Sequence, residues 1–318
     1  MTCIRCNHST AKRFGTYGKR RVQRWRCNSC HATFADPSTA KPLGSHYTSP
    51  EAASRAFALM LEGMSIRAIS RITGLHKQTI LSLMNTAAAN VTRRMDVHMR
   101  GIHARYVQSD EIWCFVGKKA RHVRDSDPAE MGDQWVFVAL DAETKLVPSF
   151  VVGKRTKETT LAFLRDLKAR LVDERFQLTT DGFHFYERGV EDVFGGTVDF
   201  AQLIKLFGDY GQHDAQARYS PGPITEVISK VRDGRPDPAH ISTSHIERQN
   251  LTMRMQMRRF TRLTNAFSKK LGNLKAAVTL YFAWYNFCRV HSTLRVTPAM
   301  EAGLANHVWN IAELLASD

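Results

Sequence analysis

Residues 240–262 read HISTSHIERQNLTMRMQMRRFTR, and their periodicity sets what the rest of the chain has to supply. At about 100° per residue, a helix through them gathers Ile246, Met253, Met257 and Phe260 into one apolar stripe. Arg248, Arg259 and Arg262 fall on roughly the opposite side, with Glu247, Asn250, Leu251, Arg254 and Arg258 in the strip between. A buried edge, an edge with a single carboxylate and a basic edge suit a helix that serves a polyanion. Solvated arginines on an ordinary surface helix give the same pattern. The decision therefore rests on whether other carboxylates can join Glu247.

The totals favour the polyanion. The 318 residues carry a net charge of +15 and a pI near 9.8, with 43% hydrophobic content, enough for two or three domains with a real core. Such a balance points to nucleic acid or an anionic surface rather than a small neutral substrate. The charge is also uneven. Residues 1–50 hold nine Lys/Arg against the single acid Asp36, and residues 248–275 hold eight against none. Two basic zones predict two contacts with phosphate. With no long apolar run and no signal-peptide pattern, we expect a soluble, cytoplasmic protein that makes no membrane contact.

Four of the six cysteines are paired as Cys3-x2-Cys6 and Cys27-x2-Cys30, twenty residues apart. Each pair bends the backbone so that two thiolates aim at one point, and two such knuckles close a tetrahedron around one structural Zn²⁺. Residues 1–47 are therefore read as a zinc ribbon, with a hairpin over Phe14–Trp25 and a linker over 36–50. Its many arginines, Arg24 among them, mark it as a DNA-contacting module. His8 and His31 lie near the knuckles but are not needed as ligands. Cys114 and Cys288 read as small core residues. Residues 48–100 carry helical segments at 51–62, at 65–73 and from about His76 toward Arg94. Gly74 turns the last two, and Ile66, Ile69, Leu75, Ile80 and Leu83 are placed to pack them. That is a helix-turn-helix, with His76, Lys77, Gln78 and Thr79 at the exposed start of its recognition helix.

From residue 101 the pattern changes. Strands are predicted at 104–116, 134–141 and 145–152, then a helix at 156–172 and a fourth strand at 176–181. The first contains Asp110-Glu111 and the fourth ends at Asp181-Gly182. This order is that of an RNase H-like core, with a mixed sheet and flanking helices, in which the first and fourth strands are neighbours. Asp110 and Asp181 can then converge, and Glu247 on the later helix supplies a third carboxylate. Three such groups can hold two Mg²⁺ (or Mn²⁺) ions about 4 Å apart at a phosphodiester. Successive strand residues face opposite sides, so only one of Asp110 and Glu111 is expected to reach the site. Asp141, at another strand end, is read as a turn residue. The core is assigned to 101–305, with an insertion around 208–240 and a tail at 306–318.

These residues resemble a known family. Asp110-Glu111-Ile-Trp113, Thr180-Asp181-Gly182 and His245-Ile-Glu247-Arg248-Gln-Asn250-Leu-Thr-Met-Arg254 are similar to the catalytic blocks of DDE transposases of the insertion-sequence-one family. The tail Tyr285-Asn-Phe-Cys-Arg289-Val-His291-Ser-Thr-Leu294, then Thr297-Pro298-Ala299, is similar to the end of many transposase and integrase cores. The 65 residues between Asp181 and Glu247 are about twice the spacing of many relatives. The resemblance implies metal-dependent cleavage at the ends of a mobile element and transfer of the freed 3′-OH into target DNA. Asp110, Asp181 and Glu247 would be the catalytic metal ligands. Arg254, with Asn250, would position a phosphate, His245 would lie near the scissile group, and Arg248, Arg258, Arg259 and Arg262 would track the backbone. The implied partners are the element's terminal repeats, target DNA and further copies of the chain in a synaptic complex. The setting would be the cytoplasm of a bacterium or archaeon, at the nucleoid. Two other readings remain open: a non-catalytic DNA-binding regulator, and an RNase H-like nuclease that cuts without joining.

Overall fold

Strand β4 (Tyr106–Val116) sits at the centre of a six-stranded sheet. The fold is taken from a computed structural model and described for residues 1–18, 21–36, 48–208, 222–261 and 264–315. Antiparallel to β4 runs β5 (Gly132–Asp141), and β6 (Ser149–Gly153) is antiparallel to β5. On the other flank β7 (Phe176–Thr180) pairs parallel with β4, and β8 (Val198–Phe207) parallel with β7. The edge strand β9 (Ile224–Asp233) is antiparallel to β8. The sheet is thus mixed, and its first and fourth strands are neighbours. Part of the expected insertion at 208–240 is the strand β9, while residues 209–221 lie outside the described set.

Alternation along β4 sends its side chains to two different layers. Val107 joins Phe137, Leu178 and Phe200 in a core closed by α4 (Lys157–Arg170) and α5 (His184–Phe194), through Phe163, Leu167, Tyr186 and Val190. Fully burying side chains of this size stabilises the fold by about 1.5–3 kcal/mol each. Gln108 and Asp110 point to the opposite layer, where α6 (Ser244–Gln256) crosses β4 and α7 (Leu271–Phe287) packs Phe282 on Phe150 at 4.8 Å between ring centroids. The third strand begins at Ser149 rather than near 145. Asn286 exchanges hydrogen bonds with the backbone of Val147, and Tyr285 donates to the carbonyl of Lys145, so α7 takes this backbone away from the sheet.

Helix α6 is shorter than the expected 240–262 helix. It ends at Gln256, Met257 is extended (φ −109, ψ 102), and a single 3-10 turn follows at Arg258–Phe260. Ile246, Met253, Met257 and Phe260 are all buried, but only the first two lie on the helix. Arg259 correspondingly turns inward instead of lying on a solvent face, and Arg262 is outside the described residues.

Upstream, α1 (Pro50–Leu61), α2 (Ile66–Thr73) and α3 (Lys77–His98) pack Ala56, Ile69 and Ile80 together with Leu59, Met60, Ile66 and Leu75. Ser65 Oγ caps α2 by accepting from the Ala68 N–H, and Gly74 ends it at φ 73, a conformation that favours glycine. The chain divides into two units, Met1–Ala53 and Ser54–Asp318, which places α2 and α3 in the same unit as the sheet.

The smaller unit is a three-stranded antiparallel sheet, β1 (Ala11–Tyr17), β2 (Val22–Cys27) and β3 (Thr33–Ala35). Among the described residues its core is the cluster of Cys3, Cys27 and Phe34, flanked by Ala11 and Trp25, with Val22 also buried. The expected linker at 36–50 falls mostly on residues 37–47, outside the described set. No helix among the described residues is long and apolar enough to cross a membrane.

Candidate active site

The parallel pairing of β4 with β7 ends at Ser109 opposite Thr180, so the next residues, Asp110 and Asp181, lie side by side where β7 stops. Asp181 opens a tight turn in which its Oδ1 accepts from the Phe183 N–H at 3.0 Å. Gln202 on β8 fastens that turn by donating to the Asp181 carbonyl at 2.9 Å. Helix α6 brings the third acid. Gln108 on β4 accepts from the backbone N–H groups of His245 and Ile246 at 2.9 and 3.1 Å, filling the role of a helix cap from a neighbouring strand. One turn later Asn250 donates to Asp110 Oδ2 at 2.9 Å. With the helix held at both points, Glu247 lines the same open cleft of about 540 Å³ as Asp110 and Asp181.

Glu111 is the unexpected member. Carboxylate oxygens of Asp110, Glu111 and Asp181 all lie within 4.8 Å of one another, close enough to share a cation. Alternation does send Asp110 and Glu111 to opposite layers. Asp181, however, lies in the plane of the sheet beyond the end of β7, where both can approach it. Burial, then the charge of Asp181, push the Asp110 carboxyl up to about 6 and Glu111 up to about 8. Burial also raises Asp181, against the Phe183 N–H and Arg155. Burial is the main cause in all three, so the carboxyls are held partly protonated, and a divalent cation would favour their charged forms.

Among the described residues, two cations reach the acids. Arg155, in the turn before α4, lies 2.9 Å from Glu111 and 3.5 Å from Asp181, its guanidinium 3.9 Å from the centre of the Phe183 ring. Lys205 on β8 pairs with Glu247 Oε1, which also accepts from Thr243 Oγ1 at 2.6 Å. Arg254 is elsewhere. Two turns along α6 from Glu247, it donates to the Phe260 carbonyl at 3.3 Å and does not line the cleft. Asn250 is buried and holds Asp110 rather than facing the opening. Partial burial, and then the neighbouring Lys145, lower the pKa of His245. Asp141 accepts from the N–H groups of Glu143 and Thr144 and closes the turn after β5.

The four cysteines also gather. The Sγ atoms of Cys3 and Cys30 are 3.7 Å apart, and those of Cys6 and Cys27 are 3.6 Å apart. A tetrahedral site with zinc–sulfur bonds of about 2.3 Å has sulfur–sulfur edges of about 3.8 Å, so these residues fit zinc. Backbone N–H groups of Arg5 and Ser29 point at Cys3 and Cys27 Sγ, stabilising thiolates. Among the other expected DNA contacts, Lys77 and Gln78 are exposed at the start of α3, and Arg248 and Arg258 are exposed. Arg24 is half-buried, donating to Thr33 Oγ1 and lying over Phe14 and Tyr17.

No protein-family model matches this sequence, and no curated protein matches it. Solved structures weakly similar to this chain include two transposase complexes. One is the piggyBac transposase synaptic complex with hairpin DNA, at TM-score 0.38 and 9% identity, covering 88% of this chain and 72% of that one. The other is the Mos1 transposase paired-end complex with left transposon end, at TM-score 0.20 and 15% identity, covering 52% and 61%. Likeness this slight fixes neither family nor activity.

Arg155 and Lys205 escaped the sequence reading, and Glu111 entered it only as an alternative to Asp110. Arg155 and Lys205 sit in stretches with ordinary surface composition, and only the sheet order brings them to the acids. Helix α5 and strand β8 were also missed, although Tyr186, Val190 and Val193, followed by Gly195-Gly196, carry a helical period and a stop.

Proposed function

We propose that the chain is a metal-dependent DNA transposase with an RNase H-like core, as its resemblance to the insertion-sequence-one family implies. The observation that carries the reading is that Asp110 on β4, Asp181 just past β7 and Glu247 on α6 all line one open cleft. Magnesium or manganese held by these three acids would activate an attacking oxygen and stabilise a leaving oxygen at a phosphodiester. The remaining residues have positioning work. Asn250 orients Asp110, Thr243 orients Glu247, and Gln202 fixes the turn that carries Asp181. Arg155 and Lys205 compensate the acids at the mouth, where a phosphate would enter. The cysteine unit is a zinc ribbon and α2–α3 a helix-turn-helix, both acting as DNA contacts, and at least two copies act together on the two ends of an element.

The test uses duplexes taken from the DNA on both sides of the reading frame, incubated with the full chain and Mg²⁺. We expect strand cuts at the element ends, followed by joined products. Asp110→Ala, Asp181→Ala and Glu247→Ala should each lower both by at least about 10³-fold while leaving binding intact. Cutting without joining would make the chain a hydrolase. Binding without any cutting would make it a regulator.

A further inference from the structure

A second open cleft, of about 620 Å³, shares no lining residue with the carboxylate cleft. Arg67, Lys77, Arg258, Arg259 and Lys269 line it, and no Asp or Glu does. Among the described residues none of these five makes an ion pair. Arg259, set into the wall, donates to Ser268 Oγ and the Asn273 carbonyl, both at 2.9 Å, so its charge meets only neutral acceptors. A cation without a counter-charge is costly unless an anion faces it. Three helices also begin here: α2 just after Ser65, α3 at Lys77, and α7 with Asn273 in its first turn. None has an acid in its first turn; Ser65 and His76 each cap one N–H of α2 and α3 with a neutral acceptor, so the three positive helix ends still add to the cleft.

We propose that this cleft grips the phosphodiester backbone of duplex DNA, the same molecule whose reacting bond lies at the carboxylates. The assignment rests on the reading of the chain as a DNA-processing enzyme and adds to it a second point of attachment. One segment joins the two sites. Glu247 lines the first, and Arg258 and Arg259, just past the end of α6 at Gln256, line the second. The helix between spans about 14 Å, or roughly four base pairs along the duplex axis. Phe267 is the one aromatic ring in the lining, whereas grooves for single strands interleave cations with several stacking rings. The cleft is therefore built for backbone rather than for splayed bases.

The experiment is fluorescence anisotropy of the full chain with a labelled duplex of arbitrary sequence, without added Mg²⁺, across a potassium chloride series. Arg67→Gln/Lys269→Gln and Arg67→Glu/Lys269→Glu are compared with a control pair on α4 and α5, Arg165→Glu/Arg188→Glu. The neutral cleft pair should weaken binding about tenfold or more and make the slope of log affinity against log salt shallower by about two. The charge-reversed cleft pair should weaken it further, and the control should match wild type. Wild-type affinity and slope in both cleft pairs, or equal losses in the control, would overturn the assignment, as would a single-stranded RNA that binds tighter than duplex through these residues. If the wild-type chain binds no duplex at all, the functional reading falls; if it binds and the cleft pairs change nothing, only the cleft does.

Discussion

Asp110 and Glu111 are consecutive on one strand, yet they stand in different surroundings. Asp110 has Asn250 as a donor and the open cleft before it, while Glu111 is closed in by Arg155 and the α4–α5 layer. The sequence made Asp110 and Asp181 legible because each falls at a definite place on a strand. It could not reveal Glu111, since strict alternation applies to residues flanked by strands on both sides, and Asp181 lies past the end of its own. The raised carboxyls have a consequence with a definite sign. Glu111 moves from an ordinary 4.5 to about 8, so over that range the folded chain keeps a proton the unfolded chain releases. Without divalent cations, stability should therefore fall as pH rises from about 4.5 to about 8 and then level off, with Asp110 contributing up to about 6. Thermal unfolding across that window should show the decline, and Glu111→Gln should flatten it. A wild-type midpoint that rises with pH, or a decline untouched in Glu111→Gln, contradicts the buried acid.

Helix α6 shows what periodicity can and cannot give. Ile246 and Met253 were legible as its buried stripe, and Glu247 as its reactive edge. Its end was not, because nothing in the local sequence stops the helix: no glycine or proline follows, and the apolar spacing continues through Met257 and Phe260. Those two side chains are buried beyond the helix, so tertiary packing overrides local propensity there. Arg254 keeps its two-turn spacing from Glu247 on α6 and donates to the Phe260 carbonyl, whereas Arg259 lies beyond the end of the helix. The start of α6 instead depends on Gln108, a contact between residues far apart in the chain. Gln108→Ala leaves two backbone N–H groups without an acceptor, at a cost of about 1–3 kcal/mol. Calorimetry should show a drop of several degrees in Tm, and cleavage should fall more steeply than DNA binding as Glu247 loses its position. An unchanged Tm would show that Gln108 does not carry the helix.

At the scale of the molecule, the two basic zones read from the sequence divide differently between its two units. The first belongs to the cysteine unit, whose small core around Cys3, Cys27 and Phe34 would need a metal at the four cysteines to hold a fold. Zinc chelation, or Cys27→Ser, should unfold this unit and lose recognition of the element ends, while the larger unit keeps its own thermal transition and non-specific DNA affinity. Persistence of end recognition after zinc removal, read by anisotropy against a competitor duplex, would show that the ribbon is not the reader. Of the second zone, Arg258, Arg259 and Lys269, all past the end of α6 at Gln256, line the basic cleft, while the carboxylate cleft takes its cations from Arg155 and Lys205. The central claim is that acids from β4, β7 and α6 make one cation site. Its most direct test is a manganese titration of the zinc-loaded full chain, followed by electron paramagnetic resonance. Asp181→Asn and Glu247→Gln should each weaken manganese binding about tenfold or more relative to wild type. Wild-type binding in Glu247→Gln would contradict the claim.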